Sequence, residues 1–121
     1  MLLNIDGYDL FNEMQAIYPD DFSLEGCKVL DWYYSNEDCS GYPTVNDIAV
    51  NWCEFGVETN LTLMDLVNDY GYLYPYDNWA NDNDISGKID VYIDEYLNDL
   101  TWYIEQHATV LETRNGYLIN E

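Results

Sequence analysis

Basic residues are nearly missing from this chain. Three Lys and Arg stand against 24 Asp and Glu in 121 residues, a formal net charge of −21. That deficit excludes direct binding to DNA or RNA, whose phosphates are gripped by Lys and Arg, and it sets the chain against anionic membrane surfaces. Histidine is reduced to His107, so there is no His pair to hold zinc. No Ser or Cys has an obvious base beside it, and no Gly-rich phosphate loop occurs, which leaves catalysis without support. Paired carboxylates of the glycosidase kind arise by chance at this acid content. No run approaches the roughly 18 apolar residues of a spanning helix. The stretch Met1–Asp6 has no basic region and no long apolar segment, so no signal peptide is expected. Cys27, Cys39 and Cys53 lack Cys-x-x-Cys spacing and are expected to be reduced thiols of an intracellular protein.

What is present is aromatic. Thirteen Tyr, four Trp and three Phe make the chain 17% aromatic and 48% apolar. A chain this acidic and poor in apolar residues would stay disordered, because burial could not offset the entropy of ordering it. Here the rings can fill a core while the carboxylates stay hydrated. The length suits one domain, 1–121, with no repeat and no Pro/Ser-rich linker. Self-repulsion opposes the compact state, so the retained negative field points to use against a strongly positive partner.

Apolar spacing places a first helix over 7–18, with Asp6 as a candidate cap and Pro19 as the stop. Ser23 caps a second helix carrying Leu24, Cys27, Leu30 and Tyr34 on one face. Asn36–Pro43 reads as a loop. Asp47–Phe55 is rich in β-branched and aromatic residues and is read as a strand, with a helix as the alternative. A helix is expected from Asn60 to Tyr70, ended by Gly71, and an acidic, aromatic loop from Tyr72 to Gly87. The longest helix is expected over Ile89–Gln106, with His107 near its C-terminus. Asn115-Gly116 between apolar alternations predicts a hairpin over 109–120. The fold class is α+β, helices packed on a small antiparallel sheet made of a strand near 48–55 and that hairpin.

Asp21-Phe22-Ser23-Leu24-Glu25-Gly26 with Leu30, then Asp47-Ile48-Ala49 and Cys53-Glu54-Phe55, resemble a group of short acidic proteins carried by phages and other mobile elements. The resemblance implies two helices, a strand ending in Cys-acid-aromatic, a helix ending near Tyr-Gly and a terminal hairpin. Asp69-Tyr70-Gly71 and the hairpin fall where that order expects them. These motifs have the look of packing signatures and supply no catalytic logic. In charge and size the chain is also similar to DNA-mimic antirestriction proteins and anti-CRISPR proteins, whose targets hold nucleic acid in basic channels. The implied setting is the cytoplasm of a host bacterium.

Mimicry of a nucleic acid needs carboxylates at phosphate-like spacing. Acids four apart on a helix stand about 6 Å apart at 1.5 Å per residue, near the step between phosphates on one strand. Asp90 with Asp94, and Glu95 with Asp99, supply two such rows. Asp77, Asp82 and Asp84 extend the charge onto the preceding loop, and Asp20, Asp21 and Glu25 form another cluster at a helix start. Each cluster alone is also what a solvated face or a helix N-terminus provides. Tyr74, Tyr76 and Trp79 lie in the acidic loop, where they either anchor a partner, as hot spots and stacking surfaces for Arg, or fold the loop onto the domain.

A calcium-loop alternative rests on Asp82, Asp84, Ser86 and Asp90, which match the start of an EF-hand loop with Gly87 in place. Its closing position is Ile93, and Ser86 is read in preference as the N-cap of the following helix. The expectation is therefore a non-enzymatic inhibitor with no cofactor. It acts on a basic nucleic-acid-binding host protein, a CRISPR effector in preference to a restriction enzyme. An acidic adaptor for another basic protein is the alternative.

Overall fold

The computed structural model describes residues 7–36 and 43–121. The chain runs α1 (Tyr8–Ile17), α2 (Leu24–Asn36), α3 (Val45–Asn51), β1 (Cys53–Gly56) and α4 (Leu63–Tyr70). A 3-10 turn (Gly71–Leu73) leads to α5 (Tyr76–Asp82), α6 (Ile89–Ile104), β2 (Thr109–Glu112) and β3 (Gly116–Asn120). The three strands form an antiparallel sheet in the order β1-β3-β2. The expected α+β class holds, and the C-terminal hairpin forms as its Asn-Gly turn predicts. Thr113 N–H donates to Gly116 C=O at 2.8 Å to close the hairpin.

Strand β3 sits in the middle, and its alternation divides the core. Leu118 points into a cluster with Leu10, Met14, Cys27, Leu30, Ile48 and Trp52, contributed by α1, α2 and the α3–β1 segment. Ile119, one residue on, points into a second cluster with Phe55, Leu66, Trp79, Tyr96, Leu97 and Leu100. Successive side chains of a strand face opposite ways, so α1–α3 cover one face of the sheet and α4–α6 the other.

Four expectations need correcting. The strand near 48–55 begins only at Cys53, because residues 45–51 are helical. Thr44 and Asp47 form a reciprocal capping box, with Asp47 N–H on Thr44 Oγ1 at 3.1 Å. Val45 and Ile48, one turn apart, are both buried, so cap and helical period override β propensity. The loop expected over 72–87 contains α5, whose Trp79 and Ala80 are buried. Ser86 is not a cap: α6 starts at Ile89 with Lys88 in the cap position and no side-chain bond there. The helix expected from Asn60 starts later, at Leu63, where Thr62 and Asp65 form a second capping box. The Asp6 cap, the 37–42 portion of the expected loop and Cys39 lie outside the described residues.

Glu54 joins the sheet to α2. It faces the same side of the sheet as its neighbour Leu118, is 2% exposed, and meets the N-terminus of α2. Ser23 N–H donates to Glu54 Oε1 at 2.9 Å and Ser23 Oγ–H donates to Glu54 Oε2, while Ser23 Oγ caps the helix by accepting from Gly26 N–H at 2.9 Å. The positive helix end favours the carboxylate there. Gly26 is the residue that permits the approach, since a Cβ at that position would stand 2.0 Å from Glu54 Oε1. The Ser23–Gly26 and Cys53–Phe55 motifs are thus two halves of one contact. Burial raises the Glu54 pKa, and the two bonds from Ser23 pull it partly back. The neighbouring Cys27 thiol is pushed up to about 12 by burial and then by Glu54.

Two outcomes follow for stability. Gly26→Ala should lower unfolding free energy by about 1–3 kcal/mol through overpacking, read by chemical denaturation. The folded protein holds the Glu54 proton more tightly than the unfolded chain. Glu54's contribution to stability therefore falls as pH rises from 4.5, the ordinary value, through the raised folded value. Glu54→Gln lacks this titration, so its melting temperature should decline less steeply with pH across that window than that of the native protein.

Candidate functional site

The outer half of the second layer is built by α5 and α6. Tyr96, Leu97, Leu100 and Ile104 bury the inner stripe of α6 completely. Asp90, Asp94, Glu95, Asn98, Asp99, Trp102 and Glu105 all lie on its exposed side, at the three- and four-residue spacing that groups side chains on one helix face. Backbone at Tyr92 leaves the helical range (φ −114°, ψ 16°), a kink near the first turn. The row from Asp94 to Glu105 lies beyond the kink and is carried on continuous helix.

Aromatic hydrogen bonds fix α5 and its approach against α6. Tyr96 O–H donates to Tyr74 C=O at 2.6 Å, and Tyr76 O–H donates to Gly87 C=O at 2.8 Å. Trp79 Nε1–H donates to Asp99 Oδ2 at 2.6 Å, and Tyr74 O–H donates to Asp82 Oδ2 at 2.6 Å. Its bond to Asp82, ahead of burial, pushes the Tyr74 phenol up to about 12, so it stays a donor throughout the neutral range. The Tyr74 and Tyr103 rings lie 4.8 Å apart, and Trp102 meets Tyr103 edge-on at 5.0 Å.

A groove of about 520 Å³ opens along this seam, with Tyr74, Asp82, Asp99, Trp102 and Tyr103 in its walls. A second groove of about 530 Å³ runs on the other side of Asn98, where Asp94 and Glu95 face the hairpin turn and Arg114. The face of α6 therefore stands between two acidic grooves.

The residues singled out from the sequence separate into five groups. Asp82, Asp99 and Tyr74 converge on the first groove. Asp94 and Glu95 line the second. Asp77, Asp84 and Asp90 are exposed around them, Asp84 in the left-handed region at φ 58°. Tyr76 is half-buried, stacked on Trp79 at 5.6 Å and edge-on to Tyr96 at 5.3 Å, and Trp79 is buried. Those two rings fold the segment down, and Tyr74 is the one of the three that reaches the groove wall. Asp20, Asp21 and Glu25 belong to the α1–α2 side of the sheet. There Asp20 and Asp21 accept from Gln15 and Asn60, and Glu25 lies 3.9 Å from Lys28. Trp102 and Tyr103 were not singled out from the sequence: Tyr103 continues the apolar stripe of α6, and no local signal marks Trp102 as an exposed ring.

The EF-hand match falls on the connection between α5 and α6: Asp82 is the last residue of α5, Asp90 lies in the first turn of α6, and Asp82 Oδ2 accepts from Tyr74 O–H at 2.6 Å. Among the described residues, no group of three or more His, Cys, Asp or Glu is placed to hold a metal ion. Among the same residues, no helix is long and apolar enough to cross a membrane. Cys27 and Cys53 are free, and burial, then Asp69, raises the Cys53 thiol as well. No known protein family, curated protein or solved structure matches the chain.

The carboxylates of α6 should differ in what they do for the fold. Asp99→Ala leaves the buried Trp79 N–H without its acceptor and should cost about 1–3 kcal/mol, while Asp99→Asn, which keeps an acceptor, costs less. Asp94→Lys should stay within about 0.5 kcal/mol of the native value. Urea unfolding of the three variants gives the ranking.

Proposed function

We propose that this chain is a non-enzymatic inhibitor that occupies the basic nucleic-acid groove of a host defence complex, a CRISPR effector in preference to a restriction enzyme. One observation carries the reading: Asp90, Asp94, Glu95 and Asp99 are all exposed on a helix whose opposite side is locked into the core. Three basic side chains among 121 residues can neutralise little of that charge from within, so the field is directed outward. Glu95 and Asp99, four apart on the continuous part of α6, stand about 6 Å apart along the axis and would meet Lys and Arg that otherwise hold phosphates. The proposed action is steric and electrostatic: nucleic acid cannot enter while the acidic face is docked. Steering makes association fast and sensitive to salt. The resemblance of Asp21–Gly26 and Cys53–Phe55 to acidic proteins of mobile elements supplies the setting.

The test is affinity capture from bacterial lysate with the full chain as bait, washed at low and high salt, followed by competition with duplex DNA or guide RNA. Salt-sensitive recovery of one nucleic-acid-binding defence complex, displaced by its nucleic acid, is the expected result. Recovery of a basic protein that nucleic acid does not displace favours the adaptor reading instead. Reversal of Asp90, Asp94 and Glu95 to Lys should weaken capture at least about tenfold with an unchanged far-ultraviolet spectrum. Full binding by that variant removes the α6 face from the mechanism.

A further inference from the structure

The groove between α5 and the C-terminal half of α6 has a composition that the charged face alone does not explain. Its walls are rings as much as acids. Trp102 is 59% exposed, a large apolar surface left in water at the centre of an acidic region. Tyr103 and Tyr74 continue the aromatic wall at 5.0 Å and 4.8 Å ring spacing. Asp82 and Asp99 flank it, each oriented through Oδ2 by a neutral aromatic donor, the Tyr74 hydroxyl and the Trp79 indole. None of the chain's three cations lines the groove, since Arg114 lies in the neighbouring one and Lys28 and Lys88 line neither.

We propose that this groove is an arginine-reading subsite, where a guanidinium of the docked protein lies against Trp102 and Tyr103 and is held by Asp82 and Asp99. The inference rests on the acidic-inhibitor reading and names the side chain that this part of the surface selects. A guanidinium is planar, weakly hydrated and offers a fork of donors, so it stacks on a ring and pairs with carboxylates at once. A lysine ammonium is compact and strongly hydrated and gains less from an aromatic wall. The hydrogen bonds from Tyr74 and Trp79 orient the carboxylates before docking, which lowers the ordering cost of binding. A second copy of the chain is disfavoured as the occupant, because its own net charge of −21 would be brought against the same acids.

The experiment compares fluorescein-labelled nona-arginine and nona-lysine binding to the full chain by anisotropy, at about 0.15 M and about 0.5 M NaCl. Native protein, Trp102→Ala, Trp102→Leu and Trp32→Ala are measured. Trp32 is an exposed indole of α2, on the other side of the sheet, and controls for loss of any surface ring. The expected result is about a fivefold or greater preference for nona-arginine that persists at the higher salt. It should fall to near unity in both Trp102 variants, with nona-lysine affinity unchanged, and survive in Trp32→Ala. The leucine variant keeps bulk without a π face, and circular dichroism checks that each variant is folded. Equal binding of the two peptides by native protein, or a preference that survives loss of Trp102, overturns the subsite and leaves the acidic-inhibitor reading standing. Failure of both peptides to bind at the lower salt overturns that reading and the subsite with it.

Discussion

Most carboxylates in this protein must be held without cations, Glu25 beside Lys28 being an exception. Three Lys and Arg cannot pair 24 acids, and neutral donors take their place at several of them. Tyr74 holds Asp82, Trp79 holds Asp99, Ser23 holds Glu54 and Asn60 holds Asp21. Two further acids, Asp47 and Asp65, serve their own backbone in capping boxes. A neutral donor orients a carboxylate and leaves its charge intact, whereas an ion pair would cancel it. The aromatic content follows from the same constraint, since Tyr and Trp supply apolar area to the core and a polar tip to an acid in one side chain.

The sheet shows how so charged a chain stays compact. β3 pairs with both neighbours, and its consecutive Leu118 and Ile119 enter the two clusters on opposite faces. Acids are kept outside both clusters with few exceptions. Glu54 is the clearest of these, a buried carboxyl that fastens α2 to β1 through Ser23 and the bare backbone of Gly26. Its raised pKa marks that position as costly in the charged state. The contact is retained because helix N-terminus, serine and carboxyl complete one another's hydrogen bonds.

The face proposed to act on a partner depends on the same division between inside and outside. Tyr96, Leu97, Leu100 and Ile104 lock α6 from beneath, so the acids above them are held on a rigid frame and lose little freedom on docking. The seam with α5 adds a ring-lined groove to what would otherwise be a plain charged helix. Under the proposed function, charge would supply attraction and speed over distance and the groove discrimination at contact, a separation of roles expected where a polyanion must select among basic surfaces.

Much of this was legible in sequence order. Ser23 caps α2, the 3–4 periodicity of Ile89–Ile104 marks α6, and Asn115-Gly116 sets the hairpin, because caps, periodicity and turn chemistry are local. The acids of α6 were legible as an exposed row for the same reason. Residues 45–51 and α5 were less so: Ile48-Ala49-Val50 favours a strand by type, and Pro75 with its Asn and Asp neighbours favours a loop. The capping box at Thr44 and the burial of Trp79 decided both. The sequence by itself determined the charge, the α+β class, the hairpin and which helix displays its acids. Only the tertiary structure decided that Glu54 meets Gly26, that Tyr76 and Trp79 turn inward, and that Asp82, Asp99 and Trp102 share one groove. The Ser23–Glu54 bond beside Gly26 alone spans 31 positions. The geometry of these pairings is set by how two helical layers settle on a common sheet, which no local signal encodes.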